Sequence, residues 1–264
     1  MKRIAILIAL ASAAHGETIQ ERGKRIVEEA LQALGGASFL DMEDRVEAGR
    51  AYSFYREELR GLSVAKIYTR YLTPPSPLTP DFLGVRERQA FGKDEYSAVL
   101  FADGKGWEVT YRGARPLRQE LVDRFQDTTR RGILYILRMR LKEPGLILES
   151  RGADVWSNMP VEMVDITDSE NRVTTVFFHR SEKWPVRQVF VRRDPKTRER
   201  NEEVTVFSKY RDVGSGIRWP HVIQRERNGE KIFEMYSDSV QVNRNLTDDL
   251  FTLPADMKIL PPKR

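Results

Sequence analysis

The chain has 264 residues, no cysteine, and a formal net charge of +5 from 44 basic and 39 acidic side chains. Without cysteine there is no disulfide, no thiolate zinc ligand, no Cys–His nucleophile and no thiol to carry an N-terminal lipid anchor. Arg and Glu are interspersed rather than gathered into a basic stripe, so a nucleic-acid partner is not expected.

Lys2-Arg3, an apolar run over 4–14 and the small residues around it have the form of a secretory signal. Ala14-His15-Gly16 offers cleavage before Glu17, and Ala11-Ser12-Ala13 is the competing cut. No other stretch approaches the ~20 apolar residues needed to span a bilayer. The expected organisation is a signal peptide over 1–16 and one periplasmic domain over 17–264, with a net charge of +3.

A first helix over 17–34 carries Ile26, Val27, Ala30, Leu31 and Leu34 at one-face spacing, and Gly35-Gly36 ends it. From Arg45 the period becomes two, with Val46, Ala48, Tyr52 and Phe54 on one parity and Glu47, Gly49 and Ser53 on the other. A strand over 62–72 places Ala65, Ile67, Thr69 and Tyr71 on an uncharged face. Four prolines over 73–80 break the sheet and make a loop, either a rigid connector or a mobile rim. Strands follow at 85–91, 95–102 and 106–111, the last with Trp107, Val109 and Tyr111 on one parity. Pro116 opens a second helix that runs to about 142, with Leu117, Leu121 and Phe125 on one face and a wider patch of Ile133, Leu134, Ile136, Leu137 and Leu141 after Gly132. That pattern fits a core helix and a helix lying over a cavity equally well. Strands at 146–151, 161–167 and 172–179 lead into an antiparallel meander over 183–253, in which Asn228-Gly229 is the strongest hairpin signal. The prolines at 254, 261 and 262 indicate a loosely packed tail. The expected fold is mainly β (α+β): a single strongly curved antiparallel sheet, or unclosed barrel, of about 10–11 strands with two helices on its concave side.

Catalytic constellations are scarce. Beyond the signal, only His179 and His221 remain, and both read as ordinary strand residues. No Gly-x-Ser-x-Gly elbow occurs, Gly214-Ser215-Gly216 is a hairpin turn, and Asp103-Gly104-Lys105-Gly106 joins two strands rather than opening a helix. The chain is therefore expected to be non-catalytic, with no cofactor and no metal. What remains is a surplus of low-charge strand faces: Val164 and Ile166; Val173, Thr175 and Phe177; Val186 and Phe190; Val204 and Val206; Ile217, Trp219 and Ile223. Two helices cannot cover so many, and a half-open barrel would keep an apolar cavity.

Several stretches, in order, resemble the LolA/LolB/RseB-type family of bacterial lipoprotein-sorting and sensing proteins. They are Ala33-Leu34-Gly35-Gly36 before the first strand, the hairpin Leu100-Phe101-Ala102-Asp103-Gly104-Lys105-Gly106-Trp107, and Trp184-Pro185-Val186-Arg187. Tyr210-Arg211-Asp212-Val213-Gly214-Ser215-Gly216-Ile217-Arg218-Trp219-Pro220, and Val240-Gln241-Val242-Asn243 followed by Leu250-Phe251-Thr252-Leu253-Pro254, complete the set. The resemblance implies an unclosed barrel with helices as a lid, whose apolar interior receives the acyl chain of a lipid or lipoprotein. It also implies a lid-closing arginine on a strand, a role that Arg45, Arg50, Arg70 and Arg86 leave unassigned.

The expected function is a periplasmic carrier or receptor for acyl chains, monomeric, with a periplasmic or membrane protein as a further partner. Its apolar wall is expected at Phe54, Ile67, Leu100, Trp107, Val164, Phe177, Phe190, Val206 and Trp219, and its lid at Leu134 and Leu137. Burying ~10 methylenes at ~0.8 kcal/mol each would drive binding without a specific polar contact. Two other readings stand beside it: an RseB-like sensing or protein-interaction module whose cavity is filled by its own side chains, and a hydrolase.

Overall fold

The structure, a computed structural model, describes residues 16–75, 82–194 and 197–262. The expected signal peptide, apart from Gly16, and most of the proline loop lie outside the described residues. The first helix, α1 (Ile19–Ala33), opens on a capping box in which Thr18 Oγ1 accepts from the Glu21 N–H and Glu21 accepts from the Thr18 N–H. It ends as expected at Gly35 and Gly36, with φ of +124° and +55°. A one-turn α2 (Ala37–Leu40) then buries Phe39.

Among the described residues, thirteen strands rather than ten or eleven make one antiparallel sheet. The first six are β1 (Asp44–Tyr55), β2 (Glu58–Tyr71), β3 (Val85–Phe91), β4 (Ser97–Ala102), β5 (Lys105–Thr110) and β6 (Gly113–Pro116). After the helical link come β7 (Ile147–Trp156), β8 (Met159–Thr167), β9 (Val173–His179), β10 (Pro185–Arg193), β11 (Arg200–Asp212), β12 (Arg218–Arg227) and β13 (Glu230–Val242). The order is β6-β5-β4-β3-β2-β1-β13-β12-β11-β10-β9-β8-β7. Two meanders are thus joined where β1 pairs with β13, and β6 and β7 are the two edges. The expected Asn228-Gly229 hairpin forms, with φ of +51° and +82°. Equivalent tight turns at Arg56-Glu57 and Ser157-Asn158, all four residues at positive φ, make the β1–β2 and β7–β8 hairpins longer than their sequence suggested.

The second helix is shorter and broken. α3 (Gln119–Arg131) stops where Gly132 turns extended (φ −68°, ψ 123°), and a short α4 (Ile133–Tyr135) runs into a π-helical turn, Ile136–Arg140. This link crosses the concave side from the β6 edge to the β7 edge. α1 also lies on the concave side, against β7, so close that a Cβ on Gly23 would stand 2.5 Å from the Leu148 carbonyl oxygen. Ile26, Val27, Ala30 and Leu31 of α1 pack with Ile133, Leu134, Ile136 and Leu137 over Val164, Ile166, Val176 and Phe178. This is the main core, and it fills the β7–β10 end of the bowl.

The convex face of the other meander is covered by the segment over 246–253, which packs tightly, while the tail from Pro254, expected to pack loosely, is mostly exposed and adds a backbone bridge between Ala114 and Ile259. Phe251, 1 % exposed, sits in a cluster with Val46, Tyr68, Ala90, Leu100 and Val109, and Leu246, Leu250, Leu253 and Met257 surround it. The segment is also tied by polar groups. Buried Asp44 accepts from the N–H groups of Arg244 and Leu246 (2.6 and 2.9 Å), and Asp248 receives Arg70 and Arg86 (2.7 and 2.5 Å).

Candidate functional site

A cavity of about 400 Å³ lies between the middle of the concave sheet face and the link over 117–135. Its roof is mainly apolar, with Leu117, Leu121 and Phe125 from the start of the link and then Ile133, Leu134 and Tyr135, while Arg124, Thr128 and Thr129 of α3 also line it. Phe125 stacks on Phe101 of β4 with ring centroids 3.9 Å apart. α3 lies lightly on the bowl, with Val122 as its one fully buried residue. The segment after Gly132 is held firmly. Ile133 N–H, an orphan donor at the start of α4, gives its hydrogen bond to Gln188 Oε1 on β10 at 2.7 Å. Arg138 donates twice to the Met42 carbonyl (3.1 and 2.9 Å), and Arg140 pairs with buried Glu143 while donating to the Arg130 carbonyl (2.8 Å). Tyr135 donates to the Leu83 carbonyl at 2.6 Å, and burial pushes its hydroxyl up to about 12.

The floor of the cavity is polar, which the expectation of an apolar wall did not include. Arg45, 7 % exposed, bonds to Glu47 (2.7 Å), to the Tyr71 hydroxyl (2.6 Å) and to Thr69 Oγ1 (3.1 Å), and lies 4.0 Å from the centre of the Trp219 ring. Thr69, Glu87, Gln89, Gln188, Thr205 and Arg225 continue this surface. Burial pushes the Glu87 carboxyl up, against a 2.6 Å bond from Gln89 Nε2 and the charges of Arg45 and Arg225. Arg225 is exposed to the hollow yet enclosed by protein, and that enclosure disfavours its charged form. Among the described residues no carboxylate lies within 4.0 Å of it. The Trp219 indole N–H is buried without an acceptor among those residues.

Of the eleven residues expected to contact a ligand, Leu134 and Trp219 line the cavity. Phe190 lines a neighbouring groove, beneath Arg131 at 4.9 Å. Leu137 and Val164 are filled in under α1, and Ile67, although on the concave face, packs with Ala51, Ala65 and Met235. Leu100 and Trp107 lie on the convex face beneath the C-terminal segment, Phe177 is convex with Val161 and Val186, and half-buried Val206 shares the convex parity. Phe54 sits near the tip of the β1–β2 hairpin beneath Lys231 Nζ at 4.6 Å. The floor was missed because charged parity was read as solvent-facing. The signal that would have corrected it is the apolar spacing of Leu246, Leu250, Phe251 and Leu253, which needs an apolar face on the outside of β1–β6. Arg45 spends its bonds on strand side chains, whereas the bonds from an arginine to a backbone carbonyl that tie helix to frame come from Arg138 and, on α3, from Arg131 to the Val191 carbonyl (3.3 Å).

Histidines and metal chemistry offer no second site. His221 Nδ1 meets the Ser237 carbonyl at 2.8 Å and His179 Nδ1 accepts from the Glu182 N–H at 3.0 Å. Among the described residues no cluster of His, Asp and Glu could hold a metal, and no helix is long and apolar enough to cross a membrane.

No protein-family model matches the sequence, and no curated protein matches it. Solved structures do match in fold. One is described as an outer-membrane lipoprotein-sorting protein domain of Vibrio parahaemolyticus (TM-score 0.56, 10 % identity, covering 87 % of this chain and 97 % of that one). A DUF1329 family protein of Desulfovibrio piger is similar at TM-score 0.57 and 11 % identity, over 89 % and 98 % of the two chains. A LolA superfamily protein of Nitrosomonas europaea is similar at TM-score 0.53 and 12 % identity, over 88 % and 97 %. By its open antiparallel sheet, its helices on the concave side and these likenesses, the chain has the LolA-like half-barrel fold.

Proposed function

We propose that this protein is a non-catalytic periplasmic carrier or receptor that shelters the apolar part of a lipid or lipoprotein in the cavity beneath α3. The observation that supports this is the hollow itself. Its volume of about 400 Å³ is in the range of ligand pockets, and Leu117, Leu121, Phe125, Ile133 and Leu134 make most of its roof apolar, interrupted by Arg124, Thr128 and Thr129. Each methylene placed against that roof contributes ~0.8 kcal/mol, so a chain of modest length suffices for binding. The polar floor sets a different condition: Thr69, Gln89 and Gln188 are already bonded within the protein, and part of the ligand, or ordered water carried with it, must meet the polar atoms left over, those of Arg225 among them. An amphiphile meets both conditions where a plain hydrocarbon meets one. Native mass spectrometry of protein extracted mildly from its host should show an added mass of lipid size, and fatty acids or lipopeptides should displace a fluorescent acyl probe. A protein that emerges clean and also ignores those ligands refutes the carrier reading.

A further inference from the structure

A second hollow, of about 1080 Å³, runs along α3 at the ends of β9, β10 and β11 and shares Leu121 and Arg124 with the cavity. We propose that the ligand is an anionic amphiphile whose head is held in this arginine-lined groove while its tail runs past Arg124 under α3. This rests on the reading of the cavity as an acyl-chain site and adds the chemistry of the head.

Positive charge is in excess in the groove. Eight arginines and five carboxylates line it. Two of the carboxylates are shared: Glu203 serves Arg124 and Arg227 (3.0 Å each) and Arg192 (3.9 Å), and Asp127 serves Arg131 and Arg192 (2.9 Å each). Arg193 and Arg200 stand directly opposite each other in the β10–β11 ladder, a like-charge pair that costs stability unless an anion relieves it. Among the described residues neither of them, nor Arg118 at the start of α3, has a carboxylate within 4.0 Å. Guanidinium forks match the oxygens of a phosphate or carboxylate in pairs. The same groove also exposes apolar side chains, Leu121 (40 %), Val173 (44 %) and Val191 (39 %), which a bare inorganic anion would leave uncovered and the first methylenes of a tail would cover.

Calorimetric titration of the full chain with decyl phosphate, decanol and inorganic phosphate, all below micelle formation, separates the terms. Decyl phosphate should bind about tenfold or more tightly than decanol, with a preference that shrinks as salt rises. In the Arg193→Gln/Arg200→Gln variant, and independently in Arg118→Gln, that preference should fall while decanol binding is unchanged. Equal affinity for the two alkyl probes, or a preference that survives both variants, overturns the assignment of the head and leaves the cavity reading intact. Inorganic phosphate binding as tightly as decyl phosphate overturns it too, since the groove is then a plain anion site. If neither alkyl probe binds, the carrier reading itself fails and takes this inference with it.

Discussion

Replacing Arg45 by Met tests whether the polar floor is a self-satisfied structure rather than a gap left by poor packing. Arg45 and Glu47 are 7 % and 2 % exposed and 2.7 Å apart. The substitution keeps most of the side-chain volume but removes three hydrogen bonds and the contact with Trp219, and leaves Glu47 buried with only Ser237 Oγ (3.1 Å) as a remaining side-chain donor. Breaking one side of such a pair costs about 3–5 kcal/mol, chiefly because the surviving charge is stranded. For a domain of this size that lowers Tm by roughly 10 °C. Adding Glu47→Gln removes the stranded charge while keeping an acceptor for Ser237, so the double variant should recover about 2 kcal/mol relative to Arg45→Met alone. Urea unfolding of the wild type, both single variants and the double variant closes the cycle. A single variant that loses less than about 1 kcal/mol, or a double variant no more stable than Arg45→Met, refutes the account.

Other perturbations address the remaining parts. Phe251→Ala should cost about 3–5 kcal/mol in urea unfolding, since a fully buried ring would leave a void beneath the C-terminal segment. Glu87→Gln should stabilise the protein at neutral pH: a carboxyl raised by burial favours folding while protonated and loses that advantage as pH rises through its unfolded value and on to its folded one. The gap between Glu87→Gln and wild type should therefore close as pH falls below the ordinary carboxylate range, and a gap that does not change with pH would contradict the assignment. Gln188→Leu should cost about 1–3 kcal/mol by orphaning the Ile133 N–H, and hydrogen exchange should accelerate over 133–140 in the variant.

Most of the frame was legible in the residues. The stop at Gly35-Gly36 and the turns at Asp103-Gly104 and Asn228-Gly229 left little freedom, because positive φ at glycine or asparagine is a local property. The β1–β2 and β7–β8 hairpins were harder, since Arg56-Glu57 and Ser157-Asn158 adopt positive φ under the demand of strands already paired on either side. The face each strand presents could not be read locally at all. Alternation shows that Val46 and Glu47 point opposite ways, but which of them points into the bowl depends on residues some 200 positions later, where Phe251 covers Val46 and leaves Glu47 inside. The same inversion moved Leu100 and Trp107 out of the expected wall and brought Arg45 and Glu87 into it.

The route by which a ligand would enter follows from the strand order. With β1 and β13 paired at the centre, the edges β6 and β7 are the strands farthest apart, so the link between them must cross the mouth of the bowl. Its two halves are held very differently. Beyond Gly132, the Gln188, Arg138 and Arg140 contacts fix the chain, and Ile133, Ile136 and Leu137 are part of the main core. Before Gly132, α3 buries only Val122 fully, rests on the Phe101–Phe125 stack and is otherwise tied to β10 and β11 by part-exposed polar contacts such as Arg124–Glu203 and Asp127–Arg192. Local opening follows the number of buried contacts that must be broken, so α3 should exchange its amide hydrogens much faster than 133–140. A bound tail, touching Leu121 and Phe125 from below, should slow α3 selectively. Uniform protection across the link in the free protein would mean that the roof does not open at α3, and entry would then have to be sought at the arginine-lined groove alone.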